Sequence, residues 1–164
     1  MTKKPHFRRV FKSDHLGVAD LEDLIEQGSD LKFTIKEVKQ ETDVIVSGKL
    51  GSHNIAYFIE KIKPLVLNST NSKTLKSFNN DSPFVEDWGN TFVELFIQKN
   101  IKFAGDLVEG VRIKSIQPKK EKPVFKEENF EKAKNAGATI EKIKSIYIIS
   151  EDIEKKYLEY VTKK

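Results

Sequence analysis

At Leu31 the spacing of apolar residues switches to a period of two, and the strand pattern that follows to about residue 117, interrupted once by a helical stretch, limits the fold more than any other feature. Leu31, Phe33 and Ile35 alternate with Lys32, Thr34 and Lys36, which predicts a strand with one buried face and one basic face. Glu37-Val38 breaks the phase, as a β-bulge does. Thr42–Val46 is rich in β-branched residues and either extends this strand or forms another. It runs into turn-forming residues at Ser47-Gly48-Lys49 and Gly51-Ser52. Asn54–Glu60, apolar on both faces, and Pro64–Asn68 are further strands. The spacing then becomes helical over Asn71–Phe78, with Asn71 or Ser72 as cap, and Phe84–Trp88 is a short helical turn. Thr91–Gln98 and Val108–Ile116 return to strand around a hairpin turn at Ala104-Gly105-Asp106.

This order predicts a mainly β chain with added helices: a five-stranded, OB-like, partly open barrel with a helix between strands 3 and 4. Four segments follow from it. Residues 1–12 form a basic N-terminal arm. Residues 13–117 form the barrel and a short helix ahead of it, started by Ser13/Asp14 and stopped at Gly28. Residues 118–126, containing Pro118 and Pro123, are a hinge. Residues 127–164 are a helical C-terminal module with helices over Glu128–Ala136, Ile140–Tyr147 and Asp152–Val161, the last two capped by Thr139 and Ser150. A core from fewer than about fifty residues is marginal alone, so the module is expected to dock on the barrel or a partner.

Charge supplies the next constraint. The net charge of +4 is unevenly spread: all five basic residues of 1–29 fall by Lys12, and residues 118–164 carry twelve basic against nine acidic side chains. The body between is nearly neutral, so the basic segments are either polyanion contacts or simply solvated termini. No window approaches the apolar length of a membrane span, and no apolar run follows the basic N-terminus as in a secretory signal. With no cysteine there is neither a disulfide nor a thiolate site, which fits a cytosolic setting.

Catalysis has little to stand on. His6, His15 and His53 lack ligand spacing, Glu86-Asp87 and Glu151-Asp152 are adjacent acids that diverge on a helix, and no nucleophile elbow, Walker loop or dinucleotide fingerprint occurs. A nuclease would require Asp43, Glu94, Asp106 and Glu109 to converge. No enzymatic activity, cofactor or metal is therefore expected.

Single-stranded nucleic acid is the better fit, because such sites combine Lys/Arg along the phosphates with aromatic rings under the bases. The expected contacts are Lys32, Lys36, Lys49, Tyr57, Lys61, Lys63, Asn68, Asn71, Arg112 and Lys114. For Asn68–Asn71 a structural role at a strand end and helix start outweighs a phosphate grip. Trp88 is expected to plug one barrel end.

Phe33-Thr34-Ile35-Lys36-Glu37-Val38, Lys63–Asn71, Phe84-Val85-Glu86-Asp87-Trp88 and Gly110-Val111-Arg112-Ile113 carry a resemblance. Across residues 11–117 the chain resembles a family of small tailed-phage and prophage proteins similar to OB-fold single-stranded-DNA-binding proteins. That resemblance implies an accessory role in phage DNA replication or recombination and no catalytic residue. Bacterial single-strand-binding proteins end in an acidic tail, whereas Tyr160-Val161-Thr162-Lys163-Lys164 is basic, so partners are expected on the C-terminal helices, and homo-oligomerisation is open. The alternative is a structural or adaptor protein of the virion that ignores nucleic acid.

Overall fold

The computed structural model describes residues 13–163. It contains two compact units that divide between Lys119 and Lys120. The described elements are mixed α and β: five strands and five α-helices, none long and apolar enough to cross a membrane.

The first unit is an open, five-stranded antiparallel sheet in the order β3-β2-β1-β4-β5, formed by β1 (Lys32–Val46), β2 (Lys49–Phe58), β3 (Leu65–Leu67), β4 (Thr91–Phe103) and β5 (Asp106–Ile113). β1 is central: it bonds β2 along most of its length and β4 over Lys32–Ile35. Where β1 and β4 pair, β4 keeps the alternation, while in β1 Thr34 is buried along with its neighbours Phe33 and Ile35. Phe33, Ile35, Val93 and Leu95 point into the core, joined by Val38, Ala56, Phe58, Leu65, Leu67, Val111 and Ile113. Phe33 and Phe58 meet edge to face at 5.8 Å.

Helices close the open side. α1 (Val18–Glu26) buries Val18 and Leu21, and α2 (Ser69–Phe78) buries Leu75. A 3₁₀ turn at Val85–Trp88 packs on β1 and buries Trp88; its indole N–H donates to the Ser82 carbonyl at 3.0 Å.

Several local details differ from the sequence expectation. Thr42–Val46 continues β1 beyond a second irregularity, and β4 runs on to Phe103, so both hairpins are longer than patterning suggested. The first bulge falls at Lys36, between Ile35 and Glu37, one residue before Glu37-Val38. α1 starts from Gly17 rather than Ser13/Asp14, because the Asp20 carboxylate accepts from the Gly17 amide at 2.9 Å. α2 is capped by Asn68, whose side chain accepts from the Asn71 amide at 2.9 Å. That leaves the Asn71 side chain free for another task.

The second unit holds α3 (Phe130–Asn135), α4 (Ile140–Ile146) and α5 (Glu151–Thr162), with Thr139 and Ser150 capping α4 and α5. Its core is Phe125, Phe130, Ile143 and Tyr157. Phe125 lies within the stretch expected as a hinge, yet it is the centre of this core. It stacks on Phe130 at 5.7 Å and meets Tyr147 and Tyr157 edge to face at 5.3 and 5.5 Å. The Phe125 and Ile148 amides anchor the strap, donating to the carbonyls of Ile148 and Pro123 at 2.8 Å each.

Candidate nucleic-acid interface

The two long hairpins of the sheet unit share one design. Each has a residue in left-handed conformation in its first strand, Asp43 in β1 and Asn100 in β4, both with φ 58°. Each register shift spans that residue, between Glu41 and Val44 and between Gln98 and Ile101. After the same number of residues each hairpin turns through a two-residue loop with positive φ at both positions: Ser47 (51°) and Gly48 (77°), Ala104 (50°) and Gly105 (90°). Such loops match the right-handed twist of the flanking strands, and glycine at the second position meets no steric penalty. Sequence comparison by residue type hides this repeat, because Val44-Ile45-Val46 and Ile101-Lys102-Phe103 agree in geometry more than in identity.

Both tips present apolar side chains to solvent. Ile45 and Leu50 face each other across the first hairpin, each 65% exposed; Phe103 and Leu107 on the second are 71% and 66% exposed. Fully burying one such side chain releases roughly 1.5–3 kcal/mol, which these residues have not gained within the unit.

The sheet curls far enough for its two edge strands to line one cleft of about 560 Å³. β3 contributes Leu65–Leu67, followed by Asn68; β5 contributes Gly110, Val111 and Arg112; the first hairpin adds Val46 and His53. His53 also borders a second, polar cleft of about 420 Å³ with Gln40, Thr42, Ser52 and Asn54. Since every neighbouring pair in the sheet is antiparallel, β3 and β5 run in the same direction.

Asn71 closes part of the gap between them. It is 1% exposed; its amide nitrogen donates to the Val111 carbonyl at 3.2 Å, and its side-chain oxygen accepts from the Ile113 amide at 3.0 Å. These two β5 groups flank Arg112, as the two partners of a single residue do in a parallel ladder. The side chain thus substitutes for one residue of a strand and satisfies two groups that would otherwise be buried without partners.

The sequence-predicted contacts divide into three sets. Lys32, Lys63 and Lys114 are ion-paired, with Asp30 at 3.6 Å, Asp20 at 2.7 Å and Glu94 at 2.5 Å. Lys36, Lys49 and Lys61 are exposed and make no ion pair among the described residues. Asn68 and Arg112 line the cleft, with the Arg112 Nε donating to Gln98 at 3.0 Å, while Asn71 is internal.

Tyr57 lies on the sheet face opposite Phe58, which is buried, and its ring is partly covered: Lys39 Nζ sits 5.4 Å from the centroid and the hydroxyl donates to Glu41. That hydrogen bond is the main reason its pKa is raised, with burial and the charges of Glu41 and Glu37 adding to it. Exposed rings and aliphatic groups that a base could use lie at the hairpin tips, where alternation alone did not single them out because tip residues face solvent on both sides, and also at Phe84 and Ile116.

Asp43, Glu94, Asp106 and Glu109 do not form a metal-holding cluster; among the described residues no group of three His, Asp or Glu does. Compared with protein-family models, curated proteins and solved structures, the chain matches none.

Proposed function

We propose that the sheet unit is an OB-type module binding single-stranded nucleic acid, serving as an accessory of phage DNA replication or recombination in the host cytoplasm. The observation that carries this reading is the strand order β3-β2-β1-β4-β5, with both edges lining one cleft and a long hairpin on each side. An OB barrel opened between its third and fifth strands has this order, with the helix after strand 3, and binds oligonucleotides between the loops joining strands 1–2 and 4–5. On this reading the strand's phosphates meet Lys36, Lys49, Lys61 and Arg112. Its bases rest on Phe103, Leu107, Ile45 and Leu50. No catalytic step, cofactor or metal is involved.

The pairing pattern sets the magnitudes. With about four phosphates neutralised at roughly 0.7 per phosphate, log K falls against log salt with a slope near −3. Lys49→Glu and Arg112→Glu weaken binding more than Lys32→Glu or Lys114→Glu, whose cations already have carboxylate partners. Phe103→Ala removes about 1–3 kcal/mol if one base stacks there. Fluorescence anisotropy with a labelled oligothymidylate at low salt measures all of these. No change up to about 50 µM protein, within the range of ordinary non-specific binding, sinks the proposal.

The exposed Ile45/Leu50 pair favours a second reading, a structural or adaptor protein of the virion. On that reading Leu50→Lys abolishes co-purification with virion proteins while oligonucleotide has no effect.

A further inference from the structure

Within the helical unit, α3, α4 and the residues between them enclose a pocket of about 190 Å³. Phe125, Ile143 and Tyr147 contribute its aromatic and aliphatic surface, and the small side chains of Ala133, Ala136 and Ala138 leave the space open. An apolar cavity of about 150 Å³ accepts a benzene molecule, so this one has room for a single bulky apolar side chain.

Two lysines also line it: Lys132 on α3 and Lys142 on α4. Neither ammonium has an ion-pair partner among the described residues. Three other lysines of the same unit, Lys134, Lys144 and Lys156, are engaged. Lys144 pairs with Glu154 at 2.8 Å, Lys156 pairs with Glu127 at 2.9 Å and Asp152 at 3.4 Å, and Lys134 donates to the carbonyls of Tyr160 and Lys163. An apolar hole beside two unmatched cations asks for one kind of occupant.

We propose that this pocket binds an acidic peptide segment of a partner protein, one bulky apolar side chain filling the hole and flanking carboxylates meeting Lys132 and Lys142. Residues 1–12, with Lys3, Lys4, Arg8, Arg9 and Lys12, carry the same sign as the pocket, so the proposed occupant is a segment of opposite charge. Charge chooses the peptide and cavity size chooses the anchor, so the proposal stands apart from what the sheet unit binds.

The test uses the full chain and a fluorescein-labelled peptide in which one Phe is flanked by Asp residues. The expected result is saturable anisotropy, with amide shifts at Lys132, Ala133, Ala136, Ala138 and Lys142. Replacing the peptide's Phe by Ala, or its Asp residues by Lys, lowers affinity tenfold or more, on the order of 1.4 kcal/mol. Ala136→Leu, an exposed position that fills the hole, and the Lys132→Glu/Lys142→Glu pair each do the same, and the charge pair reverses the preference towards the Lys peptide. Circular dichroism checks that these variants keep their helices, and a single Lys142→Gln replaces any that does not. Equal binding of the Asp and Lys peptides overturns the proposal. So does full affinity in Ala136→Leu, or shifts at these residues on adding oligothymidylate but not peptide.

Discussion

In the sheet unit the weak place is an edge, and a polar side chain, Asn71, occupies it. In the helical unit the weak place is size, and a cluster of aromatic rings around Phe125 compensates. The first unit has enough alternating strands to fill its core with aliphatic residues, so what it lacks is hydrogen-bond partners where β3 and β5 do not pair. The second has short helices and one isolated bridge, between Val124 and Ile148, so it lacks apolar area. Loss of a ring should therefore be most damaging in one unit, and loss of an amide in the other.

The largest expected effect is Phe125→Ala. Removing a buried Phe costs about 3–5 kcal/mol, whereas at roughly 0.05–0.15 kcal/mol per residue a unit spanning Lys120–Lys164 has only a few kcal/mol in total. The amide resonances of 120–163 should collapse to random-coil positions at 25 °C. If they stay dispersed, the aromatic cluster is not what holds this unit and the comparison fails.

Next is Asn71→Leu, close in volume but unable to bond. It strands the Val111 carbonyl and the Ile113 amide, costing about 2–4 kcal/mol. For a domain of this size that lowers the melting temperature by on the order of 10 °C or more. Hydrogen exchange at the Ile113 amide should accelerate more than at the Leu95 amide, which donates to the Leu31 carbonyl. Equal acceleration would mean that Asn71 contributes general packing and not edge closure.

Gly89→Ala follows, because a Cβ there would lie 3.0 Å from the Lys36 carbonyl oxygen. The backbone at Gly89 (φ −69°) suits any residue, so the cost is contact alone, about 1–3 kcal/mol as for other overpacked sites. Urea denaturation measures it, and a neutral result would show that β1 yields at its Lys36 bulge.

Much of this comparison was readable in the sequence, but unequally. Strand alternation at Phe33 and Ile35, the helix after Leu67 and the caps at Thr139 and Ser150 each depend on neighbours close in the chain. The OB-like order and the binding residues remain expectations carried into the proposal. Asn71 was legible only as a cap or phosphate ligand, because its true partners lie forty and forty-two residues away, on β5. Phe125 was hidden by Pro123 and the lysines around it, which gave the strap the composition of a linker. The hairpin repeat was hidden because a left-handed Asp43 and a left-handed Asn100 look like ordinary polar residues until φ is known.

The smallest effect separates two causes of one observable. Tyr57 and Tyr157 both have pKa values raised above 10.0, but the leading cause for Tyr57 is its hydrogen bond to Glu41, while for Tyr157 it is burial. In each case the neutral phenol is the form the fold favours. Its contribution is complete below the unfolded value of about 10 and is lost as pH rises through the raised folded value. Tyrosinate absorbance should show Tyr57 and Tyr157 titrating late. Glu41→Gln should bring one of them back towards the ordinary range, because the amide accepts a weaker hydrogen bond and carries no charge. Tyr157 should keep its late titration in that variant and lose it only when the helical unit opens, as in Phe125→Ala. If Glu41→Gln moves neither tyrosine, burial governs both and the polar closure of the sheet unit does not extend to its outer face.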